Sequence, residues 1–177
     1  MIVKSQHEDA PEVTPQRLVI TGSNGHFARA LLPLLAAEPR IEHIVAVDLE
    51  PPAQRIPGVE YRQVDVRSRE MSEILKGADL LIHLAFVMFH RNQRRRATDI
   101  NIDGSIQTYE IAAMRGVKRI VIASSHTVYG AHPENPIPLI ETNKRRPNRD
   151  LRYAWCKGVL EDYLDKFEVR NPQVKVI

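Results

Sequence analysis

The chain has 177 residues, 43% of them hydrophobic and 27% charged, with a formal net charge of +3. That size and balance suit one globular domain and exclude a low-complexity protein. Cys156 is the only cysteine, so no internal disulfide can form, which fits a reducing cytoplasm.

In chain order, residues 1–16 are polar, carry two prolines and show no periodicity. They read as a disordered tail, and they contain no apolar core of an export signal. Leu18-Val19-Ile20 is a β-branched apolar run, the pattern of a buried strand. Gly22 and Gly25 then allow a tight turn. Beyond it Phe27, Ala30, Leu31, Leu34 and Leu35 recur at helical spacing. "HIVAVD" (43–48) is a second strand and "VEYRQVDV" (59–66) a third. "SREMSEILKG" (68–77) predicts a short helix with a Ser cap and a terminal glycine. "DLLIHLAF" (79–86) is apolar nearly throughout, as a strand covered on both faces must be. The apolar stretch around it is too short to span a bilayer and carries His83. Residues 98–115 predict a helix with Ile102, Ile106, Tyr109 and Ala113 near one face. "KRIVIASS" (118–125) is a fifth strand. A loop rich in Pro and Asn precedes a helix over 151–170, and "VKVI" (174–177) opens a sixth strand. Strands alternating with helices predict an α/β fold, a doubly wound parallel sheet with helices on both faces, over residues 17–177.

The chemistry starts at "TGSNGHFA" (21–28). Gly22 gives the tight turn, Gly25 lets backbone approach a pyrophosphate, and Ala28 is small enough for close helix–strand packing. A helix N-terminus opening there presents unpaired N–H groups to a phosphate. Asp48 ends the second strand about 20 residues on, the distance of a ribose 2′-OH contact. Its other reading is an Asp that caps a turn. Leu49 and Glu50 follow it rather than an Arg, so a 2′-phosphate would be repelled, and NAD is favoured over NADP.

"YAWCK" sets Tyr153 and Lys157 four apart on one helix face. A nearby ammonium lowers a phenol's pKa from about 10 and makes it a usable base. Beside a nicotinamide, such a base removes a hydroxyl proton as hydride leaves the same carbon. "SSHTVYG" (124–130) lies at the C-terminal end of the fifth strand, where ligands bind in such sheets. Ser125 there is placed to hydrogen-bond the reacting oxygen. Two basic segments, "RNQRRR" (91–96) and "KRRPNR" (144–149), are either solvated loops or attractors of an anionic ligand. No motif for reading nucleic acid is present. His83, His90, His126 and His132 are scattered over strand and loops, which argues against a metal site.

Together "TGSNGHFA", "VDLE", "DVRS", "HLAF", "NIDGS", "SSHTVYG" and "YAWCK" resemble the extended short-chain dehydrogenases/reductases, the NAD-dependent epimerase/dehydratase family typified by UDP-sugar epimerases. The resemblance implies a Rossmann fold with three αβα layers, NAD as cofactor and no metal. It places Gly22, Ser23, Asn24, Gly25, His26, Phe27 and Ala28 on the diphosphate, Asp48 and Leu49 on the adenosine ribose, and Asp65 and Val66 on the adenine. It places Leu84, Ala85 and Phe86 along the nicotinamide half, counts Ser124 and Tyr153 among the cofactor contacts, and gives Asn101 the support of the active-site Lys through water. Ser125, Tyr153 and Lys157 fall on the catalytic positions, with Lys157 also on the ribose. It implies a nucleotide-diphosphate sugar as substrate and a homodimer through helices 98–115 and 151–170, whose apolar residues could equally face the sheet. Two departures stand out. Phe86 occupies a position where a second alanine is common, and the chain ends inside the sixth strand, where family members continue into a substrate lobe. The expectation is therefore a fragment lacking most of that lobe. A non-catalytic dinucleotide-binding module on the same fold is the alternative to an enzyme.

Overall fold

The computed structural model describes residues 16–88 and 94–177. Six strands form one parallel sheet in the order β3-β2-β1-β4-β5-β6. They are β1 (Arg17–Thr21), β2 (His43–Asp48), β3 (Val59–Gln63), β4 (Leu80–His83), β5 (Arg119–Ile122) and β6 (Lys175–Val176). The helices are α1 (His26–Ala36), α2 (Met71–Ile74), α3 (Arg94–Asp99), α4 (Ser105–Met114) and α5 (Arg152–Arg170), with a π-helical turn, Ile100–Gly104, joining α3 to α4. The order reverses between β1 and β4. That reversal opens a crevice at the C-terminal strand tips, where such folds take ligands.

Side-chain alternation along the strands splits the core in two. Val19, Val45, Val47, Leu81 and Ile120 face one side and pack with Tyr109 of α4 and Leu160, Leu164 and Phe167 of α5. Leu18, Ile20, Ile44, Ala46 and Ile82 face the other and pack with Ala28 and Leu32 of α1. A strand buried on both faces has no polar positions to spare, which is why β1 and β4 read as continuous apolar runs.

The structure corrects several expected boundaries. The expected tail reaches Gln16, but Gln16 accepts backbone hydrogen bonds from Glu42 and His43 at the base of the sheet; the rest of the tail lies outside the described residues. The ladders stop at Gln63, His83 and Ile122, earlier than Val66, Phe86 and Ser125. Their last pairs are Asp48 with Gln63, Thr21 with His83, and His83 with Ile122. Beyond β3 and β4 the chain leaves the sheet, and Val64, Val66, Leu84, Ala85 and Phe86 become walls of the crevice. Helix 68–77 shrinks to α2. In α1, Phe27 and Leu34 are 72% and 70% exposed, and the inward residues are Ala28 and Leu32. Along the longer helix the buried face runs through Asn101, Ser105, Thr108, Tyr109 and Ala112; of the expected set Tyr109 is buried, while Ile106 and Ala113 are half-buried against the core. The π turn adds a residue to one helical turn and so rotates the face that follows it.

Candidate functional site

The turn after β1 is built from backbone. Gly22 has φ +70°, and a Cβ there would lie 2.6 Å from the Ala85 nitrogen, so neither the conformation nor the space admits a side chain. A Cβ on Gly25 would meet the Gly22 oxygen at 3.0 Å, and the Gly25 N–H already donates to that oxygen at 2.9 Å. α1 starts at Gly25 with no side-chain cap, which leaves its first-turn N–H groups for an anion. His26 and Phe27 supply that turn and are exposed, while Ala28 is buried against β1. Ser23 is buried too, and its N–H donates to the Val47 carbonyl.

Next to this turn is a cleft of about 210 Å³. Its walls include Gly22, Asn24, Gly25, Asp48, Leu49, Asp65, Val66, Leu84, Ala85 and Phe86, all residues expected there from the sequence. Val64, Val87 and Ile100 also line it and were missed; their only sequence signal was apolar character, beside a strand tip for Val64 and Val87 and in the following helix for Ile100. Asp48 carries out the turn-capping role considered for it. Its Oδ2 accepts the Asn24 N–H at 2.8 Å and its Oδ1 accepts the Glu50 N–H at 3.2 Å. A carboxylate oxygen has a second lone pair, so the same group can still accept ribose hydroxyls from the cleft. Asp65 is engaged by Arg67, which donates to both its carboxylate oxygens.

At the other end the catalytic candidates converge without joining. Tyr153 and Lys157 lie on α5, one turn apart. Lys157 is buried and its Nζ donates to the Ala123 carbonyl at 2.6 Å. The same Nζ sits 3.9 Å from the centroid of the Phe86 ring and 5.9 Å from that of Tyr153. Phe86 meets Tyr153 edge-to-face at 5.3 Å. Burial pushes the Lys157 amine down to about 8. Ser125 caps the 3-10 turn His126–Tyr129, its Oγ accepting from the Thr127 N–H and hydroxyl. Ser124 is exposed and its hydroxyl donates to Glu161. None of Ser124, Ser125, Tyr153 or Lys157 is among the residues lining the cleft.

Asn101, in the π turn, is fully buried. Its Oδ1 accepts from the Val87 N–H at 2.7 Å and its Nδ2 donates to the Val87 carbonyl at 2.9 Å. The amide thus clamps the segment that carries Phe86. His83, which no motif singled out for a role, is a buried hub. Its Nδ1 is 2.8 Å from the Thr21 hydroxyl and its Nε2 is 2.9 Å from the Ser105 hydroxyl. Burial, with Lys157 nearby, holds the imidazole down at about 3, so it stays neutral at ordinary pH.

The second basic segment is partly neutralised within the chain. Arg145 pairs with Glu161 at 2.8 Å and also with Asp162 and Asp165, and Arg146 pairs with Glu134 at 2.7 Å. These two arginines are engaged within the chain: they pin the loop to α5 and to itself. Residues 91–93 and His90 lie outside the described residues. His126 is exposed, and His132 sits 2.8 Å from the Arg146 carbonyl. No helix among the described residues is long and apolar enough to cross a membrane.

These features fit a dinucleotide: an uncapped helix N-terminus, a glycine turn that no Cβ could enter, and an acid at the neighbouring strand tip. Known proteins agree with that geometry. Uronate dehydrogenase of Pseudomonas syringae pv. tomato is 28% identical over 90% of this chain and 58% of its own length. An uncharacterized protein of Mycobacterium tuberculosis is 26% identical over 97% of this chain and 47% of its own length. The chain therefore spans about half the length of these curated relatives. A variant of uronate dehydrogenase from Agrobacterium tumefaciens, solved in complex with NAD, superposes with a TM-score of 0.76 at 27% identity, over 89% of this chain and 58% of that one. UDP-N-acetylglucosamine 4-epimerase from Methanobrevibacter ruminantium superposes at 0.77 with 22% identity, over 91% of this chain and 53% of that one, a likeness of fold. The sequence profile of the NAD dependent epimerase/dehydratase family runs over residues 18–177, nearly everything that forms this sheet and its helices, and the chain belongs to that family.

Proposed function

We propose that the chain holds NAD across the strand tips and contributes the proton-handling residues of an oxidoreductase that acts on a sugar hydroxyl, with a nucleotide-diphosphate sugar as substrate. The observation that carries this reading is the cleft beside the glycine turn, walled by ten residues expected there from sequence. The first turn of α1 receives the diphosphate, Asp48 the adenosine ribose, and Asp65 with Val66 the adenine side. NAD, when bound, supplies a hydride acceptor. Tyr153 holds and returns the hydroxyl proton, Lys157 favours the phenolate through its charge, and Ser125 donates to the reacting oxygen.

Support for the substrate class comes from relatives that act on sugar acids or UDP-sugars. Residues 17–177 are read as the cofactor-binding unit that carries the catalytic groups. A homodimer through helices 98–115 and 151–170 belongs to the same reading, and sedimentation of the purified chain tests it. One observation favours the second reading, a binding module without turnover: the Lys157 amine is turned to the Ala123 carbonyl and the Phe86 face.

The test is a fluorescence titration with NADH and NADPH on wild type and Asp48→Arg. Saturable NADH binding, with preference moving to NADPH in the variant, is expected. A wild type that binds neither removes the proposal. In a longer chain that turns over substrate, Tyr153→Phe separates the two readings: it abolishes turnover and spares NADH binding if Tyr153 is the base.

A further inference from the structure

Phe86 belongs to two spaces at once. It lines the 210 Å³ cleft, and it lines a chamber of about 10 Å³ shared by Lys157, His83, Ser105 and Glu161. Ala85 lines both spaces too, so the Ala85-Phe86 segment is the partition between the cofactor cleft and the active-site lysine, and the Phe86 ring is the large side chain in it. Three contacts hold it there: the Lys157 ammonium over its face, the Tyr153 edge, and the Asn101 clamp on the next residue. A cation on an aromatic face and an edge-to-face ring pair are both attractive arrangements. The cleft in front of the ring is smaller than the roughly 300 to 1,000 Å³ typical of sites for whole ligands. Its lining includes Gly22, Gly25, Asp48, Asp65 and Val66, the residues assigned above to the adenosine diphosphate part of a dinucleotide. The nicotinamide part would have to go where the ring stands, or past it.

We infer that Phe86 closes the nicotinamide end of the cleft and is a specificity-determining residue, so that the folded chain takes ADP, which lacks the nicotinamide riboside, about as readily as NAD. This rests on the dinucleotide reading above. It assigns the ring a cost that falls on NAD alone, because seating the nicotinamide riboside where the ring stands requires the ring to leave Lys157 and Tyr153. ADP needs no such rearrangement.

Isothermal titration of the chain with ADP and with NAD tests this, on wild type, Phe86→Ala and Phe86→Leu. In wild type the two dissociation constants should agree within about threefold, half a decade of affinity. Phe86→Ala should tighten NAD about tenfold and leave ADP within about twofold. Phe86→Leu, which keeps apolar packing but loses the flat ring, should fall between them. ADP binding also reports that a variant's cleft is intact, and if Phe86→Ala fails to fold, Phe86→Leu decides alone. Wild type that binds NAD tenfold or more above ADP, or variants that shift ADP and NAD together, overturn the inference and spare the cleft. Wild type that binds neither nucleotide overturns the dinucleotide reading, and the inference with it.

Discussion

The two ends of the crevice are held by different means. At the diphosphate end the geometry is backbone: a positive-φ glycine, a helix that starts without a cap, and a strand-tip carboxylate hydrogen-bonded to two main-chain N–H groups. At the catalytic end it is side chains from three distant segments: Phe86 after β4, Ser125 after β5, and Tyr153 with Lys157 on α5. Backbone geometry leaves few alternatives. Side chains on separate elements have several rotamers each, and what fills the space between them chooses the arrangement. The first end is set for its ligand, and the second is set around Phe86.

The largest break in this comparison is Gly22→Ala. It forces a side chain into positive φ and against the Ala85 backbone. It should cost about 3 kcal/mol or more in urea unfolding and eliminate NADH binding. Retained binding would show that the turn is more pliable than its geometry.

Lys157 gives the next effect, and it belongs to the catalytic end. Its folded pKa lies near 8, against 10.5 for the unfolded chain. Between those values the unfolded state binds more protons, so stability rises with pH, by about 1.4 kcal/mol per unit and about 3 kcal/mol in all. Below pH 8 the burial penalty is present in full. Burial raises the Cys156 thiol and, with Glu110, the Tyr163 phenol, so both act with the opposite sign from about pH 9 and pH 10 upward. Subtracting the unfolding profile of Lys157→Met isolates the lysine. A difference profile flat from pH 8 to 10 would mean that the amine is solvated.

Asn101→Ala sharpens the link between the two ends. It leaves the Val87 N–H and carbonyl without their partner, which should cost about 2 kcal/mol and loosen the segment bearing Phe86. Faster amide exchange at Val87 checks it; unchanged exchange refutes the clamp. The smallest effect is Arg145→Ala, about 1 kcal/mol, since two of its three acid partners on α5, Asp162 and Asp165, are exposed and such pairs contribute little. A similar loss in 1 M salt and in dilute buffer would show that packing, not charge, holds the loop.

The strand and helix order, the glycine turn and the acid at the tip of β2 can be read from the residues alone. Each is a short-range pattern with one backbone solution, so β2 (His43–Asp48) coincides with its expected span and α5 begins within one residue of it. Where the strands end was not legible, because Val64, Val66 and Leu84 stay apolar after leaving the sheet to wall the crevice. Of the buried face of the 94–114 helix Tyr109 was legible but Asn101, Ser105 and Thr108 were not, since a π turn shifts its phase and leaves no mark in residue spacing. Only the tertiary structure decided what Asn101, His83 and Phe86 touch. Asn101 meets Val87, His83 joins Thr21 to Ser105, and Phe86 touches both Tyr153 and Lys157. The reason is physical: backbone conformation follows from local sterics, whereas the contacts of a buried side chain depend on every element packed around it.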